Sequence, residues 1–260
     1  MTALPTAWGE LWVHYFGERP AKVVALHGFT LHGESFRTFA ATLNESVAAP
    51  DLPGHGRTTI DPVSLHTAAE AISALLAQSA NPPVLLGYSQ GGRIALQVAL
   101  AHPELISGLV VASTAAGLSE VDRKVRAVAD DALAMRIERI GIERFIDEWL
   151  ANPITATDRV TTAARTIDRT FRLENDSAGL AAALRGMGQA TVPDLRDRLP
   201  GLEVPACFVA GKLDLHYAEL AEEMASLVAS EPVIIPEAGH NVILENPGAV
   251  AAAVSRLLTP

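Results

Sequence analysis

Six short apolar runs, each closed off by Gly, Pro or Asp, constrain this 260-residue chain more than any other feature. They are Lys22-Val23-Val24-Ala25-Leu26-His27 before Gly28, Val47-Ala48-Ala49 before Asp51-Leu52-Pro53-Gly54, and Pro83-Val84-Leu85-Leu86-Gly87. Leu109-Val110-Val111-Ala112, Cys207-Phe208-Val209-Ala210 and Val233-Ile234-Ile235 complete the set. Continuous apolarity, as opposed to alternation, marks strands covered on both faces, the environment of a parallel sheet. Windows 65–78, 91–101 and 217–229 have helical spacing. Strands alternating with helices predict βαβ units and an α/β fold with a mostly parallel, doubly wound sheet. With 49% apolar and 19% charged residues, the chain can bury a sizeable core and is not of disordered composition.

The alternation fails between about Ala115 and Gln189, where the pattern is helical and no strand-like run occurs. This predicts a helical cap, 115–189, inserted into a core made of 1–114 and 190–260. The cap would lie over the C-terminal edge of the sheet, where open α/β folds hold their ligands. Near the end, Asn246 is placed to cap a last helix that begins at Pro247. No internal repeat or low-complexity linker is visible.

The 20 basic and 30 acidic residues give a formal net charge of −10, and no basic run exceeds two residues. That balance argues against nucleic acid and anionic membrane surfaces as partners. An anionic small molecule would need a local group of arginines to overcome the overall field. The single cysteine, Cys207, lies in an apolar run and reads as a buried strand thiol; no disulfide framework can form. The first residues lack a basic segment followed by an apolar one, and no stretch approaches the roughly 18 apolar residues of a membrane span, so a cytoplasmic location is expected. Monomer and homo-oligomer both stand open.

Gly87-Tyr88-Ser89-Gln90-Gly91 matches G-x-S-x-G. About one chain in ten of this length carries that pattern by chance, so the context has to decide. An apolar strand precedes it and a helical run, Gly92 to Ala99, follows it. A serine on a sharp strand-to-helix turn is held exposed as a nucleophile; the plainer reading is a helix N-cap. Asp214 falls just past the strand ending at Ala210, and His240 just past the one ending at Ile235. The order Ser89, Asp214, His240, each after a strand, is that of the α/β-hydrolase fold. His27-Gly28-Phe29 follows the first strand and predicts an oxyanion hole built from the Phe29 and Gln90 backbone amides, each such donor worth about 2.7–4 kcal/mol in comparable sites. Asp51 comes too early for the triad and reads as a loop brace. His216, at a helix start, is a weaker base candidate than His240. His14, His32, His55, His66 and His102 show no paired-ligand spacing, so neither a metal site nor a cofactor is expected.

Arg93, one turn after Ser89 near the positive end of a helix, opposes the helix dipole and costs desolvation energy if buried. An anion in the pocket would offset that cost, as would a neighbouring carboxylate. Here the chain resembles the 2-succinyl-6-hydroxy-2,4-cyclohexadiene-1-carboxylate (SHCHC) synthase family of menaquinone biosynthesis. The likeness runs through Gly87-Tyr88-Ser89-Gln90-Gly91-Gly92-Arg93, Asp51-Leu52-Pro53-Gly54-His55-Gly56, and a cap with Gly117-Leu118, Arg123-x-x-Arg126-x-x-x-Asp130, Trp149, Pro153, Arg172 and Asn175. It continues through Leu180 to Leu184, Pro193-Asp194-Leu195, Ala238-Gly239-His240-Asn241 and Glu245-Asn246-Pro247. The resemblance implies a lyase that expels pyruvate from a tricarboxylate. In it, Ser89 acts as base and Arg93, Arg126 and Arg172 bind the carboxylates, while Tyr88 and Trp149 line the pocket. Thr155 stands where the family often has an aromatic residue, and Gln90 where it usually has Leu. A serine carboxylesterase or C–C hydrolase using an acyl-enzyme is the alternative chemistry. A non-catalytic binding protein is a third reading, which the complete triad disfavours.

Overall fold

The computed structural model describes residues 1–258. Among them, eight strands form one sheet: β1 (Thr2–Thr6), β2 (Gly9–Phe16), β3 (Val23–Leu26), β4 (Val47–Pro50), β5 (Val84–Tyr88), β6 (Gly108–Ala112), β7 (Ala206–Gly211) and β8 (Val233–Ile235). The helices are α1 (Arg37–Leu43), α2 (Leu65–Leu76), α3 (Gln90–Ala101), α4 (Glu120–Ile140), α5 (Ile142–Leu150), α6 (Thr162–Arg172), α7 (Ser177–Met187), α8 (Leu215–Leu227), α9 (Val242–Glu245) and α10 (Pro247–Leu258). The strand order is β1-β2-β4-β3-β5-β6-β7-β8; β3 to β8 run parallel, and β2 pairs antiparallel with both β1 and β4.

The six apolar runs are the six parallel strands. In β5, Leu85 packs into the layer that holds α2, α3 and α8, while Val84, Leu86 and Tyr88 pack on the opposite face, against the layer that holds α1 and α10. Their β6 neighbours Leu109 and Val110 divide in the same way, each directly beside Leu85 or Leu86. Every position along such a strand is removed from water, so none is free to be polar.

Helix punctuation follows local chemistry. Ser64 and Thr67 form a reciprocal capping box at the start of α2, and Asn246 accepts the Ala249 N–H at the start of α10, with Pro247 in the first helical position. Between β6 and β7 the chain passes through α4 to α7 without a strand. This cap has its own small apolar centre, with Ala134 and Ile137 from α4, Phe145 and Ile146 from α5, and Leu180 and Leu184 from α7. No described helix is long and apolar enough to cross a membrane.

Candidate active site

Ser89 occupies the turn between β5 and α3, at φ 51° and ψ −110°. A non-glycine residue held there stores strain of order 1–3 kcal/mol, and the reward is a hydroxyl aimed away from the backbone. The crossing is tight: a Cβ at Gly91 would lie 2.3 Å from the Leu26 carbonyl oxygen, and one at Gly28 would lie 2.7 Å from the Tyr88 ring. The Gly91 N–H donates to His27 O (3.0 Å) and the Thr114 hydroxyl to Ser89 O (2.7 Å), which fixes the turn on β3 and β6.

Ser89 Oγ lies 3.2 Å from His240 Nε2, and His240 Nδ1 lies 2.6 Å from Asp214 Oδ2. Asp214 stands at the head of α8, after β7, and His240 on the loop after β8. The three predicted triad residues therefore form one hydrogen-bonded chain, in which a carboxylate sets the ring tautomer and leaves Nε2 to take the serine proton. The Tyr217 ring packs on His240 at 4.7 Å between centroids and confines it from the side. His216 is exposed on α8, outside the chain. Among the described residues, the Phe29 and Gln90 amides have no acceptor, so both predicted oxyanion donors are free. The Phe29 loop is held by polar contacts: Asn175 Nδ2 donates to Thr30 O (2.8 Å) and His55 Nε2 accepts the Thr30 N–H (3.4 Å).

Phe29, Tyr88, Trp149, Arg172 and His240 line a cavity with Ser89. Its volume is about 30 Å³. Thr155 also borders this cavity, its hydroxyl donating to the Trp149 carbonyl.

Of the three arginines, only Arg172 borders this cavity among the described residues. Arg126 is half-exposed on α4, its Nε 2.7 Å from Asp130 Oδ1, and does not border the cavity. Arg172 does border it, but lies buried in a bidentate pair with Asp168 (2.7 and 3.3 Å) while also donating to the Thr30 hydroxyl. Both partners sit four residues away on the same helix, where side chains meet. Arg93 differs. It is 6% exposed, its Nη2 reaches only the Met187 carbonyl at 3.5 Å, and its Nε has no partner. Burial presses its pKa below the usual arginine range, helped by Arg126 and opposed by Tyr217 and Asp130. It is not among the residues that line the cavity.

Gln90 is buried as well: its Nε2 spans Ala183 O (3.4 Å) and Met187 O (3.3 Å), and its Oε1 has no partner. It ties the first residue of α3 to the end of cap helix α7. Arg159, absent from the sequence reading, lies over the loop before His240; its Nη1 is 3.8 Å from Glu245, which accepts the Gly239 N–H at 2.7 Å. His27 and His55 are structural. His27 Nδ1–H donates to Gly28 O and its Nε2 accepts the Leu52 N–H. Burial lowers both pKa values, that of His55 to about 4. Asp51 braces its loop as expected, accepting the Gly33 and Arg57 N–H groups. It also draws His14 and His32 toward itself, a grouping that their spacing along the chain did not show.

With the elbow, the ordered triad and the capped parallel sheet in place, the chain belongs to the alpha/beta hydrolase family, whose pattern it matches over residues 23–253. Within that class it belongs to the SHCHC synthase family. It is 34% identical over 244 residues to the 2-succinyl-6-hydroxy-2,4-cyclohexadiene-1-carboxylate synthase of Enterobacter sp. (strain 638), covering 91% of each chain. A Bacillus subtilis (strain 168) protein provisionally given the same activity is 34% identical over 251 residues, covering 91% of this chain and 90% of that one. The solved structure of MenH from S. aureus superposes with a TM-score of 0.88 at 27% identity, covering 95% and 97% of the two chains.

Proposed function

We propose that this enzyme eliminates pyruvate from a tricarboxylate cyclohexene to give SHCHC, as a step of menaquinone biosynthesis. The observation that carries this reading is Arg93, a buried guanidinium with no carboxylate partner among the described residues, one helical turn from the nucleophilic serine. An unpaired buried cation is costly, and a neutral ester would leave it unpaired. An anionic substrate supplies the missing charge. Each charge-assisted hydrogen bond so formed contributes about 1.5–3 kcal/mol.

In this mechanism, Ser89 Oγ passes its proton to His240 Nε2 and removes the proton α to the substrate's carbonyl. Asp214 stabilises the imidazolium. The Phe29 and Gln90 amides hold the enolate oxygen, and collapse of the enolate breaks the C–O bond to the leaving three-carbon unit. The proton returned through His240 completes its release as pyruvate. Trp149 and Tyr88 shape the apolar side of the pocket, and Arg172 holds the Thr30 loop while facing the cavity. Lactate dehydrogenase coupled to the authentic substrate reads pyruvate directly; no pyruvate from that substrate contradicts the reading.

Ester or C–C bond hydrolysis through an acyl-Ser89 uses the same triad and oxyanion amides. A stoichiometric burst with p-nitrophenyl esters and a trapped acyl group on Ser89 would favour it.

A further inference from the structure

We propose that this protein carries a zinc-class metal site at His14, His32 and Asp51, with Glu174 as the fourth ligand, which fastens the cap to the oxyanion loop. The three buried residues come from β2, the loop after β3 and the end of β4, and their candidate ligand atoms all lie within 4.8 Å of one another. They line a cavity of about 290 Å³ that also touches Glu34 and Glu174 and is separate from the one at Ser89.

Hydrogen bonding at the two imidazoles points to a cation. His14 Nδ1 faces Glu34 Oε2 at 3.1 Å, and its Nε2 faces Asp51 Oδ1 at 2.9 Å. A neutral ring that donates to Glu34 turns its Nε2 lone pair onto the Asp51 carboxylate, so that nitrogen needs either a proton or a metal ion between it and the oxygen. A carboxylate on the far nitrogen of a ligating histidine is the usual outer support of a metal site. His32 is 2% exposed, and its Nε2 has no hydrogen-bond partner; the nearest acid, Glu174 Oε2, is 3.6 Å away. Three carboxylates, Glu34, Asp51 and Glu174, surround the two imidazoles, with Glu34 also paired to Arg37 on its outer side. Met1 and Arg57 also line the cavity, and the Arg57 guanidinium lies over the Trp12 ring at 5.2 Å.

Two imidazoles with carboxylate oxygens suit Zn²⁺ better than Mg²⁺ or Ca²⁺, which select oxygen alone. Bonds of roughly 2.0–2.2 Å at tetrahedral angles require the His14 Nε2–Asp51 Oδ1 pair, now 2.9 Å apart, to open to admit the ion, while the other ligands close on it. Binding displaces the proton from His14 Nε2. It also moves the His32 ring proton to Nδ1, where the long Glu34 N–H contact of 3.3 Å is given up. The ion would join β2 and the loop three residues past Phe29 to the α6–α7 connection, next to Arg172 and Asn175. Its role is that of a staple, distinct from the chemistry at Ser89.

The test is metal binding by the full chain after chelator treatment, with Zn²⁺ followed by calorimetry and Co²⁺ by visible absorption. One equivalent bound, a four-coordinate cobalt spectrum and a rise in Tm are expected. His32→Ala and Glu174→Gln should each weaken binding at least about tenfold and remove the Tm rise. Glu174 is half-exposed, so Glu174→Gln keeps the test decisive if His32→Ala fails to fold. Substoichiometric binding, or equal affinity in wild type and a folded variant, overturns the proposal.

Discussion

Arg172, at the end of cap helix α6, donates a hydrogen bond to the hydroxyl of Thr30, the residue that follows the Phe29 amide in the oxyanion loop. The same guanidinium is paired with buried Asp168. Cap position and oxyanion geometry are thereby tied through one side chain.

Truncating one partner of that pair leaves a buried charge alone, which costs about 3–5 kcal/mol. Arg172→Ala should therefore lower the urea midpoint sharply, and the double variant Arg172→Met/Asp168→Leu should recover most of the loss. A denaturation series on wild type and the two variants checks this; equal stability of single and double variants would show that the pair is not coupled.

Ser89→Ala removes the proton acceptor while relieving no charge in the pocket. Pyruvate release should fall by at least about 10³-fold, while calorimetry should show substrate binding within a few-fold of wild type. Residual turnover near the wild-type rate would exclude the serine as base.

Gln90→Leu replaces two long hydrogen bonds and one unpartnered buried oxygen with a side chain of similar volume. Its effect on stability should be small, within about 1 kcal/mol, since leaving a buried acceptor unsatisfied is itself unfavourable. Thermal unfolding of the variant measures it.

Acid should destabilise the fold through its buried imidazoles. His55 has a folded pKa of about 4 against 6.5 as its ordinary value, so the unfolded chain binds the proton more readily. Stability is full above the unfolded value, falls as pH drops through the interval from about 6.5 to 4, and the single-site loss amounts to about 3 kcal/mol. His27, lowered by burial and by His55, acts in the same direction. Below pH 4, Asp51 adds to the loss. Burial raises its pKa, but the His14, Gly33 and Arg57 hydrogen bonds outweigh that and hold it at about 2. Urea midpoints between pH 7.5 and 4 should decline, and more shallowly in a folded His55→Gln variant.

The parallel strands were legible because both their faces are buried, which leaves an unbroken apolar run. β1 and β2 were not, because an edge ribbon alternates: in β2, Leu11 and Val13 are buried while Glu10 is exposed and His14 is spent on Asp51 and Glu34. The triad was legible from its order after strands. Two of the arginines have a carboxylate within reach on their own helix. Arg126–Asp130 and Asp168–Arg172 both stand at i,i+4 on one helix, and that spacing was open to view in the sequence. Arg93, with no acid one turn away on its helix, kept its charge unpaired. His14, His32 and Asp51 escaped notice because three separate segments bring them together.

The account rests on Arg93 as a buried cation reserved for an anionic substrate. Steady-state pyruvate release by Arg93→Met, compared with wild type on the authentic substrate, tests it most directly. Loss of one charge-assisted contact predicts kcat/KM lower by about 10- to 100-fold, with KM raised and kcat reduced. A folded Arg93→Met enzyme with unchanged kcat/KM would contradict it.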